Sequence, residues 1–256
     1  MSASERGGEV GLSVVIPVRD DAVALERCLS LLDRQSVAPL EVIVVDNAST
    51  DDSALVAAAH GARVVREPRP GIPAAASTGY DAATGDVIVR CDADSAPPHD
   101  WLERIRARLT ADPGLDALTG TGNFYDVAVW QARVLRPLYL GSYYLLVHAA
   151  LGHPPLWGSN MAVRREAWEQ VRDLVHRGDA EVHDDIDLAF ALGPERCIRY
   201  DAALRVGVSA RSVRGGSQLR RRLRRAWHTL AVNWRVAPPW ERWGRRFAAR
   251  TAVGRR

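Results

Sequence analysis

The sequence predicts an α/β protein built on a doubly wound, mostly parallel sheet with helices on both faces, and three observations lead there. Short apolar, β-branched runs recur along the first hundred residues. Segments with apolar residues at helical spacing lie between them. Acidic residues collect just after the runs, at the carboxyl ends of the strands, where open α/β sheets bind their ligands.

Residues 12–16 (LSVVI) are uniformly apolar and end at Pro17. Such a run suits a strand buried on both faces of a parallel sheet. Leu25, Leu29 and Leu32 then give one apolar face to a helix over residues 22–35. Residues 40–45 (LEVIVV) make a second strand that runs into Asp46, and Ser49 and Asp51 can cap the helix that follows. A third strand is expected over residues 62–65, a helix over 72–83, and a fourth strand over 86–90 leading to Cys91-Asp92. Residues 101–109 are again helical, and after about residue 115 the pattern loosens. Arg136 and Arg164 enclose 27 residues with no charged side chain, but the most apolar part, residues 138–151, is only 14 long. A membrane span needs roughly 20 apolar residues, so this stretch reads as a buried or interfacial helix. Residues 216–234 predict a basic helix, and Pro238-Pro239 separates it from a frayed, arginine-rich end. The expected organisation is one domain over residues 11–210 and a basic, partly helical C-terminal extension over residues 211–256.

Composition is that of a globular protein, 47% hydrophobic and 25% charged. The polar opening offers no signal peptide, and Cys28, Cys91 and Cys197 have no metal or disulfide spacing. Buried free thiols in a reducing compartment, and hence a cytoplasmic protein, are expected. The net charge of +3 hides an asymmetry: residues 211–256 hold 14 arginines and one acid, while the first 210 residues hold 20 arginines and 30 acids. A basic tail on an acidic body points to an anionic partner. The helix over residues 216–234 can place Leu219, Leu223, Leu230 and Trp234 on one side with arginines around them, a pattern suited to the headgroup layer of anionic membranes. The alternative is a helix packed on the acidic body. No base-reading module accompanies the charge, so nucleic acid is not an expected partner.

Three acidic groups carry the chemistry. Asp92-Ala93-Asp94 follows a buried strand, where two carboxylates one residue apart are expected to converge on a hard cation that keeps phosphate oxygens in its shell, against the plainer reading of a surface turn. Asp46 ends the second strand, where its carboxylate either accepts from a base ring N–H or closes an Asx turn. In His183-Asp184-Asp185-Ile186-Asp187, a helix puts Asp184 and Asp187 on one face and Asp185 on another. Asp185 is then a candidate general base, against the plainer reading of acids gathered at a helix N-terminus.

Five ordered segments carry a resemblance: SVVIPVRD from Ser13, VVDNASTD from Val44, ATGD from Ala83 leading to Asp92-Ala93-Asp94, GSNMA from Gly158, and DDIDL from Asp184. Together, over about residues 11–210, the chain resembles glycosyltransferase family 2, of the GT-A nucleotide-diphospho-sugar transferase fold. The resemblance implies an inverting transferase that moves a sugar from a nucleotide-diphosphate donor, a UDP-sugar first, to an acceptor hydroxyl. It assigns Pro17, Arg19, Asp46, Asp92 and Ala93 to the donor, with Asp46 at the base and Asp92 at the ribose. Asp94 would hold Mn²⁺ or Mg²⁺, and Asp185 would be the base. Gly158, Ser159, Asn160 and Asp184 would line the acceptor side. The chain departs from the family at Asp184, where the family has Glu, and at Ala76-Ser77, where it often has Arg-Asn. Arg69 or Arg66 is the expected replacement for that lost cation.

The expected acceptor is a saccharide or a lipid-linked group, and a transferase acting on a polyprenyl phosphate with a GDP- or UDP-sugar, peripheral on the inner face of the plasma membrane, is the alternative. A pyrophosphorylase or nucleotide-dependent dehydrogenase is disfavoured, because residues 17–21 (PVRDD) lack the glycines that let backbone N–H groups approach phosphate. A non-catalytic membrane-surface protein is the remaining rival, and it predicts no metal-dependent nucleotide affinity.

Overall fold

The computed structural model describes residues 9–213 and 216–253. Along the chain lie β1 (Leu12–Val18), α1 (Ala22–Leu32), β2 (Glu41–Asp46), α2 (Ser53–Ala59), β3 (Arg63–Arg66), α3 (Ile72–Ala82), β4 (Val87–Arg90) and α4 (Trp101–Ala111). There follow β5 (Ala117–Phe124), α5 (Val129–Leu135), a π-helical turn (Arg136–Gly141), α6 (Ser142–Leu151), β6 (Met161–Arg164), α7 (Arg165–Val171), α8 (Asp184–Leu192) and β7 (Ile198–Val208). A 3₁₀ turn (Ala210–Val213), α9 (Gly216–Trp234) and α10 (Pro239–Val253) complete it.

The strands form one seven-stranded sheet in the order β3-β2-β1-β4-β6-β5-β7. The first four are parallel, β5 and β7 pair in parallel, and β6 alone runs against both its neighbours. Alternation along β1 makes the two cores: Val14, Ile16 and Val18 pack with α1, α2 and α4, while Val15 packs with α3, α6, α7 and α8. Both faces are covered, so these strands read as continuous apolar runs.

The expected elements are present with shifted ends. β1 continues through Pro17 to Val18 because the β4 ladder stops at Val15, leaving Pro17 a neighbour on the β2 side only. A missing N–H is tolerated at such an edge. Cys28 and Cys91 are buried with their sulfurs 3.9 Å apart, but Cys197 is exposed, against the expectation of three buried thiols.

The end of the chain differs more. In place of a frayed segment after Pro238-Pro239 there is helix α10, and both C-terminal helices pack on the body. Arg242 anchors α10. It is 3% exposed, and its guanidinium donates to the carbonyls of Leu151 and Phe190 and to His153 Nε2 at 3.2 Å. His153 Nδ1 pairs with the Pro154 carbonyl at 2.9 Å, so the ring is neutral with its proton on Nδ1. Helix α9 is fixed by Arg225 on the Glu181 and Val182 carbonyls and by Asn233 on Asp187. Its Trp234 donates to the Ala150 carbonyl at 3.3 Å. The Leu219 side chain lies outside the described residues. Among the described residues no helix is long and apolar enough to cross a membrane.

Candidate active site

Two loops at the carboxyl ends of β1 and β2 frame the cleft, and side chains stand in for the missing glycines. Asp20 (φ 50°) and Ala48 (φ 57°) take the left-handed conformation. The Asp20 carboxylate accepts from the Thr50 backbone at 2.7 Å, and Asp51 accepts from the Ala22 and Ser53 N–H groups at 2.9 and 3.0 Å. Asp51 thereby serves the first turns of both α1 and α2. Asn47 ties the end of β2 to the next loop: its amide donates to the Glu67 and Arg69 carbonyls and accepts from Gly71 N–H at 2.7 Å. Gly71 sits at φ 139°, a conformation that requires glycine, and an added Cβ would crowd Ala180 at 3.1 Å.

Between these loops and the end of β4 lies a cavity of about 250 Å³. Pro17, Arg19, Asp92, Ala93 and Asp94, distant in sequence, line it together. Asp21, Asn47 and Arg211 join them, and none of these was foreseen as a site residue. Asp46 stands just behind this wall, 8% exposed, with Oδ1 accepting from Ser49 N–H at 2.9 Å, a bond three residues on in place of the two-residue Asx turn. Arg66 and Arg69 do not line the cavity, and Arg69 is committed to Glu67 through contacts of 3.1 and 3.3 Å. Arg211 joins Arg19 as a cation of the lining, 2.7 Å from Asp21 and 3.0 Å from Asp94. Burial first, and the neighbouring Asp92 second, hold the Asp94 carboxyl above its ordinary range, while Arg211 pulls it back.

A second cluster lies behind Asp92. Arg90, at the end of β4 and 3% exposed, reaches Asp184 at 2.5 Å and Asp92 at 3.1 Å. Ser159 Oγ donates to the other Asp92 oxygen at 2.5 Å, so the carboxylate is fixed from both sides. Gly158 N–H donates to Asp185 at 2.9 Å, and the other Asp185 oxygen accepts from Ile186 N–H at 2.8 Å. Asp184 and Asp185 thus point to different partners, as the helical spacing predicts. Burial first, and then Asp185 and Asp92, raise the Asp184 carboxyl above its ordinary range against the pull of Arg90. Asp187 turns to His176 and Asn233 and serves packing. His183 bonds α9 through the Thr229 hydroxyl and the Arg222 carbonyl. Two buried polar atoms among the described residues lack a hydrogen-bond partner, Arg90 Nε and Tyr80 Oη, and both belong to this neighbourhood.

The acceptor-side segment divides. Gly158 and Ser159 touch the acids, but Asn160 is fully buried. Its side chain accepts from Trp101 Nε1 at 2.9 Å and donates to the Thr121 and Leu204 carbonyls. Asn160 therefore holds the sheet together and is no part of the cleft, a correction to its expected place. Arg90 had a signal in the sequence, since a charge ending a buried strand demands partners. Arg211 had none, because its contact with Asp94 spans 117 residues.

The donor set fits a divalent ion of limited protein coordination. Mn²⁺ and Mg²⁺ take oxygen ligands, commonly one or two carboxylates completed by phosphate oxygens and water. Asp94 and Asp92 offer carboxylates on an open cavity wall, while no three His, Cys, Asp or Glu side chains among the described residues form a ready-made cage.

Comparison with known proteins agrees with this geometry. The sequence profile of Glycosyl transferase family 2 matches residues 13–172. An uncharacterised glycosyltransferase of Mycobacterium tuberculosis is 40% identical over 109 residues, 43% of this chain and 47% of that protein. Glucosyl-3-phosphoglycerate synthase of the same organism is 38% identical over 109 residues, 36% of this chain and 32% of that one. The aligned segments thus span about half or less of these relatives' length. The crystal structure of that synthase with Mn²⁺, UDP and glucosyl-3-phosphoglycerate superposes with a TM-score of 0.65 at 23% identity, covering 90% of this chain and 81% of the other. A Pyrobaculum calidifontis mannosyltransferase with GDP-Man and Mn²⁺ gives 0.64 at 22%, covering 96% and 75%. These neighbours have the GT-A fold, and with the profile spanning more than half of it, the chain belongs to glycosyl transferase family 2.

Proposed function

We propose that the protein transfers a sugar from a nucleoside-diphosphate donor, a UDP-sugar first, to an acceptor hydroxyl with inversion at the anomeric carbon. One observation carries the reading: Asp92-Ala93-Asp94 and the Pro17–Arg19 loop share one cavity at the strand ends, and Asp185 is tethered behind it through Gly158. The synthase crystallised with UDP and Mn²⁺ and the mannosyltransferase crystallised with GDP-Man and Mn²⁺ support the donor class and a divalent ion.

In this reading Asp46 and Asp92 take the base and ribose of the donor. Asp92, held by Ser159 and Arg90, accepts a ribose hydroxyl without reorganising. Arg19 and Arg211 present cationic side chains to the diphosphate. Asp94 holds the divalent ion, whose chemistry when bound is to offset negative charge on the departing nucleoside diphosphate. Asp185, kept in place by two backbone N–H groups, takes the acceptor hydroxyl's proton as that oxygen attacks the face opposite the leaving group. A single displacement of this kind inverts the centre.

The test is a hydrolysis panel of UDP-, GDP- and TDP-sugars with Mn²⁺, because slow donor hydrolysis needs no acceptor. Release of nucleoside diphosphate from one donor class is expected. No release from any donor, together with no calorimetric binding of UDP in the presence of Mn²⁺, would sink the reading and favour a non-catalytic protein.

A further inference from the structure

Helices α5 and α6, joined through the π-helical turn, carry a row of large apolar side chains that the fold leaves uncovered. Trp130, Val134, Leu138, Leu145 and Leu146 are 68, 51, 67, 71 and 67% exposed. Trp130, Val134 and Leu138 follow at spacings of four, so they share one side of the helix. The C-terminal helices extend the surface. Trp234 donates to the Ala150 carbonyl and Trp243 to that of Ala149, so α9 and α10 both abut α6. On α9, Leu223 and Trp227 are exposed, and Trp227 packs edge-on against Trp234 at 6.1 Å. On α10, Trp240 and Phe247 are exposed, and the Phe247 ring lies 5.7 Å from Trp243. Exposed apolar side chains on four helices that abut one another are more than singly scattered surface residues would give.

Its rim is basic. Arg133, Arg136, Arg220, Arg221, Arg224 and Arg235 are exposed along these helices. Residues 127–165 contain no acid, and residues 211–256 contain only Glu241. Tryptophans and leucines bordered by arginines match the layered chemistry of a membrane surface, apolar at acyl depth and anionic at the headgroups. A second copy of the chain fits poorly, because a two-fold contact would set the arginine rim against itself.

From this geometry we infer that α5, α6, α9 and α10 form one docking face for an anionic bilayer surface. The face adjoins the acid cluster: α9 bonds His183, the residue before Asp184 and Asp185, through Thr229 at 2.8 Å. Thr229 lies on the buried side of α9, so this one helix separates the docking face from the acid cluster, and a lipid-linked hydroxyl is the acceptor class that docking would serve. The acceptor assignment rests on the transferase reading, whereas docking itself is measured without donor, so the two fail separately.

The experiment is flotation of the full chain with vesicles of phosphatidylcholine alone or mixed with phosphatidylglycerol, at low and high salt. Two variants accompany it, a charge variant (Arg220→Gln, Arg221→Gln, Arg235→Gln) and an apolar variant (Trp130→Gln, Leu138→Gln, Leu145→Gln). All six positions are exposed, so folding is retained, and unchanged melting verifies this. Each arginine contributes about fivefold in partitioning to an anionic surface, so the charge variant should bind on the order of a hundredfold more weakly. The apolar variant should also lose binding, most visibly at high salt. Recovery of the full chain in the soluble fraction under every lipid condition overturns the proposal. So does binding that the apolar variant leaves unchanged, since arginines alone would then account for it. Self-association that the apolar variant abolishes, with no vesicle binding by the full chain, also overturns it in favour of a dimer.

Discussion

Gly158→Ala tests whether the two acid clusters are one device. An added Cβ would stand 2.1 Å from Arg90 Nη1, with Cζ at 2.6 Å and Nη2 at 2.9 Å, where ordinary contact begins at 3.4 Å. A guanidinium at the end of a flexible side chain usually yields to such a group. This one is buried and held by Asp184 at 2.5 Å and Asp92 at 3.1 Å. Relief requires a separation of more than 1 Å, measured against that 3.4 Å limit. If Arg90 retreats, its pair with Asp184 lengthens; if the loop retreats, the 2.9 Å bond from Gly158 N–H to Asp185 is lost. Overpacking a core costs about 1–3 kcal/mol, and disturbing a buried ion pair places the change near the upper end, about 3 kcal/mol. For a chain of this size that lowers the melting temperature by roughly 6–12 °C. The assay compares Gly158→Ala with Gly178→Ala, where an added Cβ meets nothing within 4 Å. Melting followed by circular dichroism and donor hydrolysis should both fall in the first variant and hold in the second. Equal melting and equal hydrolysis in the two variants would refute the coupling of Gly158, Arg90 and the acids.

Four further predictions follow from the same contacts. Asp94→Asn should reduce donor hydrolysis at least about a hundredfold, roughly 2.7 kcal/mol of barrier, and full activity in this variant or in excess chelator would rule out a metal on Asp94. Asp185→Asn should abolish transfer while nucleotide binding persists, whereas Asp184→Asn should first lower stability by weakening the partner of Arg90; the reverse pattern would move the base to Asp184. Arg211→Ala should weaken UDP binding about tenfold, the value of one hydrogen bond to a charged group, and titration calorimetry showing no change would remove Arg211 from the donor site. His153, pushed down to about 3 chiefly by burial, refuses a proton that the unfolded chain accepts below its ordinary 6.5. Its contribution is constant above that pH and is lost as pH falls from there towards 3, at up to about 1.4 kcal/mol per pH unit. Denaturant unfolding at several pH values should show this slope flattened in His153→Gln relative to the natural chain, and parallel curves would contradict it.

The sequence by itself determined the first strands and helices and the acids at the strand ends; the order of the strands in the sheet came from the tertiary structure. Strands buried on both faces need apolar residues at every position, so β1, β2 and β4 stand out as runs, and the acids that follow them cannot enter the core. Helical spacing likewise separated Asp185 from Asp184 and Asp187 before any coordinates, because 3.6 residues per turn is a local property. Asn160 looked like part of the same motif as Gly158 and Ser159, yet its position at the start of the reversed strand β6 buries it. Strand direction is a tertiary property that one side chain cannot announce. Arg211 reaches Asp94, and Arg242 reaches His153, across 117 and 89 residues. Composition marked the C-terminal arginines only as excess charge; which of them are buried as structural donors and which rim an apolar face was decided by the packing of α9 and α10 on α6 and α8, since a guanidinium's role depends on the carbonyls and carboxylates that the fold brings to it.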